Sequence, residues 1–203
     1  MPARERLRAQ YLRTALKGSL IGRDIIVLEE TGSTNDVVSE MARGDWPEGL
    51  VVFAEHQTAG RGQRGNRWES CRGKSLAFSV LLRPQMAPAQ TPALSEWAAR
   101  TVARTIETTC LLQAQVKLPN DVYVGDRKIA GVLVEMRAQP GAPHTAVLGI
   151  GLNVNHSATD FPGELRERAT SLAILRRGRV DRHHIAIELL KELDRSYSEL
   201  FSR

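Results

Sequence analysis

Apolar residues fall along this chain in two rhythms: short continuous runs, and stripes that repeat every three or four positions. The runs at 24–30, 50–55 and 75–83 are rich in Val, Ile, Leu and Phe and predict strands. Residues 3–17 predict an amphipathic helix with Leu7, Tyr11, Leu12 and Leu16 on one side. After the first strand, Val37, Val38, Met41 and Ala42 stand at helical spacing. Ser33 or Thr34 suits the N-cap, Asp36 the first turn and Gly44 the stop. Leu94, Ala98, Val102, Ile106 and Cys110 repeat every four residues and predict a packed helix over 94–110.

Residues 115–138 predict two strands around a turn at 125–128. Pro119 lies inside the first of them, 116–124, and implies an edge or a bulge there. Residues 139–143 predict a turn and 145–155 a further strand, with Asn153 and Asn155 on one face. Gly149 and Gly151 remove side chains from its middle, which points to a ligand or another backbone at close range. The stretch 160–180 is polar and irregular. From Asp181 a last helix buries Ile185, Leu189, Leu190, Leu193, Tyr197, Leu200 and Phe201, with His183 and His184 as surface residues near its start.

Composition narrows the class. A chain of 203 residues fits one domain, 1–203, with 1–22 as helix and lead-in, and buries a core without staples. Cys71 and Cys110 form no Cys-x-x-Cys pair, so a reducing cytoplasm and no metal site are expected. The charged N-terminus has no signal region, and no apolar run reaches a membrane span. A formal charge of +5 admits nucleic acid, an acidic partner or phosphates in a pocket. The arginines are spread outside 61–74 and aromatics are scarce, which disfavours a nucleic-acid platform.

Candidate chemistry concentrates in 54–70, between two predicted core strands. Gly60, Gly62 and Gly65 interleave with Arg61, Arg64 and Arg67. Glycines let a backbone approach a ligand, successive N–H groups can cradle an anion, and arginine adds a fixed fork of donors. The spacing is neither a Walker A loop nor a dinucleotide fingerprint. Lys117, Asn120, Asp121 and Lys128 form a second polar group in the predicted hairpin. The turn around Ser33, Thr34 and Asn35 offers a third, at a helix N-terminus.

Five blocks together resemble the catalytic domain of biotin–protein ligases: 33–35, 57–68, 117–121, 126–135 and 149–153, in the family's order. The resemblance covers roughly 25–202. It implies an α+β fold, a mixed β-sheet with helices mainly on one side, related to class II aminoacyl-tRNA synthetases. It also implies two half-reactions. Biotin and ATP give biotinyl-5′-adenylate and pyrophosphate, and a lysine of a biotin carboxyl carrier domain then takes the acyl group and releases AMP. ATP, Mg²⁺ and biotin are the implied small molecules. The carrier domain is the implied partner, with no membrane, and a homodimer follows by analogy alone.

The resemblance also assigns roles. Lys128 contacts the biotin carboxylate and the α-phosphate, Lys117 assists at the phosphates, and Arg61 belongs to a loop that closes over the ligand. Asp121 orients or deprotonates the incoming amine. Ser33, Thr34, Asn35, Gln57, Gly60, Arg61, Gly62 and Gln63 bind biotin with Lys128, Gly131 and Leu133, and Gly149 and Gly151 complete the wall. Arg64, Arg67, Trp68, Asn120 and Asn153 serve ATP. Residues 61–72 are expected to be mobile without ligand and ordered with the adenylate. Gln63 stands where family members often carry arginine, and Leu118 where tryptophan is usual. The chain ends before the family's small C-terminal β-barrel and lacks the N-terminal DNA-binding domain of repressor-type members, so no DNA binding is expected. Two alternatives remain, a lipoate-protein ligase of the same fold and a catalytically silent biotin-binding module.

Overall fold

Seven strands make one mixed sheet in the order β1-β2-β3-β7-β6-β5-β4. The structure is a computed structural model that describes residues 6–137 and 144–201. The strands are β1 Asp24–Leu28, β2 Leu50–Ala54, β3 Ser75–Leu82, β4 Gln115–Lys117, β5 Asp121–Val124, β6 Arg127–Arg137 and β7 Thr145–Asn153. Only β1 and β2 are parallel; every other pair is antiparallel. The helices are α1 Ala9–Ala15, α2 Thr34–Met41, α3 Thr91–Cys110, α4 Leu172–Arg176 and α5 Arg182–Phe201.

Alternation along the central strands sorts side chains between two layers. Val51 and Phe53 of β2, Phe78 and Val80 of β3, and Leu148 and Ile150 of β7 join the main core with residues of α1, α3, α4 and α5. On the opposite face the one described helix is α2, whose Val38 packs on Leu50, Val52, Leu81 and Val147. Each fully buried aliphatic side chain contributes roughly 1.5–3 kcal/mol, so the thick layer holds the fold. Beyond α2 the second face is left open for a site.

Several expectations change on contact with tertiary structure. The predicted strand 116–124 is two strands, β4 and β5, which pair with each other so that Lys117 faces Asp121. Pro119 lies in the turn between them, not in a strand, so the proline removes no ladder donor. Tyr11 is exposed rather than buried while Leu7, Leu12 and Leu16 are buried as expected; its ring meets His183 edge-on, with centroids 5.3 Å apart. Leu200 is exposed as well, beyond the part of α5 that meets the sheet. His183 is buried, not superficial: its Nε2 accepts the Arg8 backbone N–H at 3.0 Å. Within 160–180, Thr170, Ser171 and Leu172 are buried, and the Ser171 hydroxyl caps α4 by accepting from Ile174 N–H. Asn155 lies past the end of β7, where its carboxamide both donates to and accepts from the Val180 backbone. The turn expected at 139–143 and the side chain of Phe201 lie outside the described residues.

Candidate active site

The open face of the sheet owes its shape to residues with little or no side chain. Ala77, Gly151, Gly131 and Asp121 stand in one row across β3, β7, β6 and β5. Ser79, Gly149 and Leu133 form the next row. The glycines make room for the protein's own side chains. A Cβ on Gly149 would stand 2.2 Å from Asn35 Oδ1, and one on Gly151 would stand 2.3 Å from Trp68 Cε2. The close approach read from these glycines is therefore made by Asn35 and Trp68.

A polar network grips the start of α2. Ser33 occupies the N-cap position but its side chain makes no capping hydrogen bond. Thr34 N–H donates to Gln57 Oε1 at 2.8 Å, and the Thr34 hydroxyl lies 3.0 Å from the same oxygen. Ser79 Oγ lies 2.7 Å from Thr34 Oγ1 and 2.6 Å from Asn35 Oδ1. Thr34 and Ser79 each carry one hydroxyl hydrogen, so with Thr34 donating to Gln57 Oε1 the Ser79 hydroxyl donates to Thr34 Oγ1 or to Asn35 Oδ1 but not to both at once. Asn35 Nδ2 then donates to Glu135 Oε2 at 2.6 Å. Ser33, Thr34, Asn35, Gln57 and Ser79 are all buried. Sequence reasoning missed Ser79 and Glu135; only cross-sheet proximity reveals them.

Lys128 reaches this face through a bulge. Val122 pairs with Ala130 while Tyr123 pairs with Lys128, so Ile129 is the extra residue. Strict alternation would send Lys128 into the core beside Ala130 and Val132. With the bulge, Ile129 is buried instead and Lys128 comes out on the open face. Its backbone is held on the other side by Lys128 N–H to Arg168 O at 2.8 Å and Thr170 N–H to Lys128 O at 2.9 Å. Lys128 Nζ lies 2.7 Å from Asp121 Oδ1 and 5.8 Å from the Trp68 ring centroid.

The segment from β2 to β3 forms the roof. It is a small hairpin, with Gly62 N–H to Asn66 O at 2.7 Å and Trp68 N–H to Gly60 O at 2.9 Å. Those amides are used within the hairpin and do not form the open anion cradle that the glycines suggested. Of the three glycines, only Gly65 takes positive φ, at 77°, beside Arg64 at 57°. Gly60 is needed for packing: a Cβ there would stand 2.5 Å from Trp68 O. Arg61 bridges Asp36 at 2.7 Å and Glu135 at 3.2 Å. Hydrogen bonding to Asp36, with Glu135 adding, raises the guanidinium further above its ordinary range. These groups are more than a third exposed, so the bridge contributes only about 0–1 kcal/mol. An anionic ligand can compete for it.

Floor and roof enclose a cavity of about 240 Å³. Its lining takes in Ser33, Thr34, Asn35 and Gln57 at the α2 end. Arg61, Gly62, Gln63, Arg64, Arg67 and Trp68 come from the roof, and Asn120, Asp121, Lys128, Gly131, Leu133, Gly149 and Gly151 from the sheet. Asn66, Phe78, Leu118, Pro119, Val132 and Ile150 also line it and were not singled out as ligand contacts. Three expected residues stand apart from the lining. Gly60 lies behind Trp68, and Asn153 is buried at the end of β7. Lys117 places its ammonium 3.8 Å from the Tyr123 ring centroid. Asn120 does line the cavity, yet its carboxamide donates to Val132 O at 3.2 Å and ties the 118–120 turn to β6. Asp121 is the single carboxylate of the lining. No group of three or more His, Cys, Asp or Glu side chains that could hold a metal occurs among the described residues. Nor is any described helix long and apolar enough to cross a membrane.

Residues 27–153 match the biotin/lipoate A/B protein ligase family. The bifunctional ligase/repressor BirA of Bacillus spizizenii is 34% identical over 194 residues, covering 96% of this chain and 60% of the relative. A biotin–[acetyl-CoA-carboxylase] ligase of Mycobacterium tuberculosis is 38% identical over 204 residues, covering 96% and 73%. Among solved structures, biotin protein ligase from Aquifex aeolicus in complex with biotin and ATP superposes with a TM-score of 0.76 at 29% identity, covering 89% and 73%. The chain thus spans about 60% of the length of the Bacillus relative.

Proposed function

The chain belongs to the biotin/lipoate A/B protein ligase family, and we propose that it activates biotin with ATP and passes the acyl group to a lysine of a biotin carboxyl carrier domain. The observation that carries this reading is the Lys128–Asp121 pair, 2.7 Å apart in the cavity between the glycine floor and the arginine roof. In the first step a biotin carboxylate oxygen attacks the α-phosphorus. The bond to the β-phosphate oxygen breaks, and pyrophosphate leaves. Two anions must meet, so donors aimed at the reacting centre lower the barrier most. Lys128 is the cation in reach, and Arg61 is a second once it leaves Asp36 and Glu135. In the second step a carrier lysine nitrogen attacks the acyl carbon and AMP leaves. That amine attacks only when neutral, and Asp121 is the lining group able to accept its proton.

The α2 end suits the uncharged end of biotin, with buried amide and hydroxyl groups in an apolar surround. Mg²⁺ is expected to arrive with the triphosphate, since Mg²⁺ keeps several waters and few protein ligands; Asp121 is the one lining carboxylate for it. Trp68 and the roof exclude water, which would otherwise hydrolyse an acyl-adenylate. A cytoplasmic location fits Cys71 and Cys110, neither of which is in a disulfide.

The test is ATP–pyrophosphate exchange by this chain with biotin, with lipoate and with neither. Exchange that depends on biotin is expected. Exchange that follows lipoate instead would move the chain to the other branch of its family. Tight biotin binding without exchange would make it a silent binding module.

A further inference from the structure

The roof carries Arg61, Arg64, Arg67 and Trp68 on the twenty residues between β2 and β3, none of which belongs to the main hydrophobic core. Its two feet meet at a buried ion pair that does not line the cavity. Glu55 is the first residue after β2, and Arg182 is the first of α5; both are 4% exposed, with Arg182 Nη2 2.8 Å from Glu55 Oε2. The same guanidinium donates from Nη1 to Ser75 O at 3.1 Å, at the first residue of β3. One side chain therefore holds both feet of the roof. Glu55 collects two more ties. Its Oε1 accepts Leu7 N–H at 2.8 Å, and its backbone carbonyl accepts Gly73 N–H at 3.0 Å. The neighbouring His183 accepts Arg8 N–H at 3.0 Å, so the lead-in to α1 is gathered at the same point.

A buried pair gives little stability over an apolar pair of equal volume. What such a pair can add is direction, and here its hydrogen bonds end on the two feet. Lysine could pair with Glu55 but lacks the fork that serves Ser75 O at the same time. We propose that Arg182, acting with Glu55, is a positioning residue that fixes the feet of the 55–74 segment and so presents Arg61 and Trp68 to the cavity. Its kinetic consequence rests on the ligase reading above; its effect on the roof does not.

Two variants test it, Arg182→Lys and the double variant Glu55→Gln with Arg182→Met, which removes both charges together. Amide hydrogen exchange is read in 56–74 and, as an internal control, in α3 and β7. Exchange in 56–74 should rise tenfold or more, with α3 and β7 unchanged. In biotin-dependent pyrophosphate exchange, KM for biotin should rise roughly tenfold, the scale of ordering one or two extra side chains on binding. The rate at saturating biotin should change less than threefold. A merely structural role gives the reverse: a uniform rise across α3, β7 and the roof, and a lower kcat at unchanged KM. Roof exchange unchanged in Arg182→Lys, which keeps the charge and the fold, would overturn the proposal. If the unsubstituted chain shows no biotin-dependent exchange, the ligase reading fails while hydrogen exchange still decides the positioning role.

Discussion

Two ion pairs stand on opposite sides of β7 in this sheet and live in different solvents. Glu55 and Arg182 are 4% exposed on both sides. Lys128 and Asp121 are 32% and 26% exposed and face the cavity. A charge removed from water must keep its partner, because losing one member strands the other. A charge that still meets water can change partners at little cost. The first pair is suited to holding parts in place and the second to meeting a ligand. A third pair, Lys74 with Asp160, is intermediate in exposure and sits beside the buried His156.

The comparison breaks most visibly if Arg182 alone is changed to Met. Stability should fall by ~3–5 kcal/mol, read from urea unfolding, and most of it should return when Glu55→Gln is added. A single variant as stable as the parent would mean that the buried pair is not what it looks like. Lys128→Met should do the opposite. We expect pyrophosphate exchange to drop ~10²–10³-fold, the usual effect of deleting one donor at a reacting centre. The melting temperature should hold within about 2–4 °C, because Asp121 keeps access to water.

The smallest effect is a pH dependence. Burial pulls the His156 imidazole down from 6.5 to about 4, against the opposing pull of Asp160, with Lys74 adding to the depression. The unfolded chain then binds the proton first as pH falls. The stabilising contribution is complete above about 6.5 and is lost on descending towards about 4. At ~1.4 kcal/mol per unit the loss is on the order of 3–3.5 kcal/mol. His156→Gln should flatten that part of the stability profile relative to the parent; matching slopes in the two proteins would refute the assignment.

Much of the site was legible because its residues are unusual where they stand. Glycine in mid-strand at 149 and 151, and alternating glycine and arginine at 60–67, violate what packing alone would choose, and such violations mark function. The 3.6-residue stripe of α3 and the apolar runs of β2, β3 and β7 were equally plain. Ser79 and Glu135 were not legible. Ser79 reads as one polar residue on an apolar strand, and its meeting with Asn35 spans 44 positions.

By itself the sequence determined the local matters: which segments are helix or strand, which loop is rich in donors, and which lysines and carboxylates stand near each other in a hairpin. These depend on neighbours within a few positions, where propensity and periodicity act. Tertiary structure alone decided which way key side chains point. One extra residue at Ile129 turns Lys128 out of the core, and Lys117 sets its ammonium over the Tyr123 ring, outside the cavity lining. It also decided that Arg182, at the start of the last helix, is buried against the feet of a loop more than a hundred residues earlier, and that His183 beside it is buried against Arg8. Such choices are settled by packing and by the cost of an unpaired buried charge, and both exist only once distant segments have met.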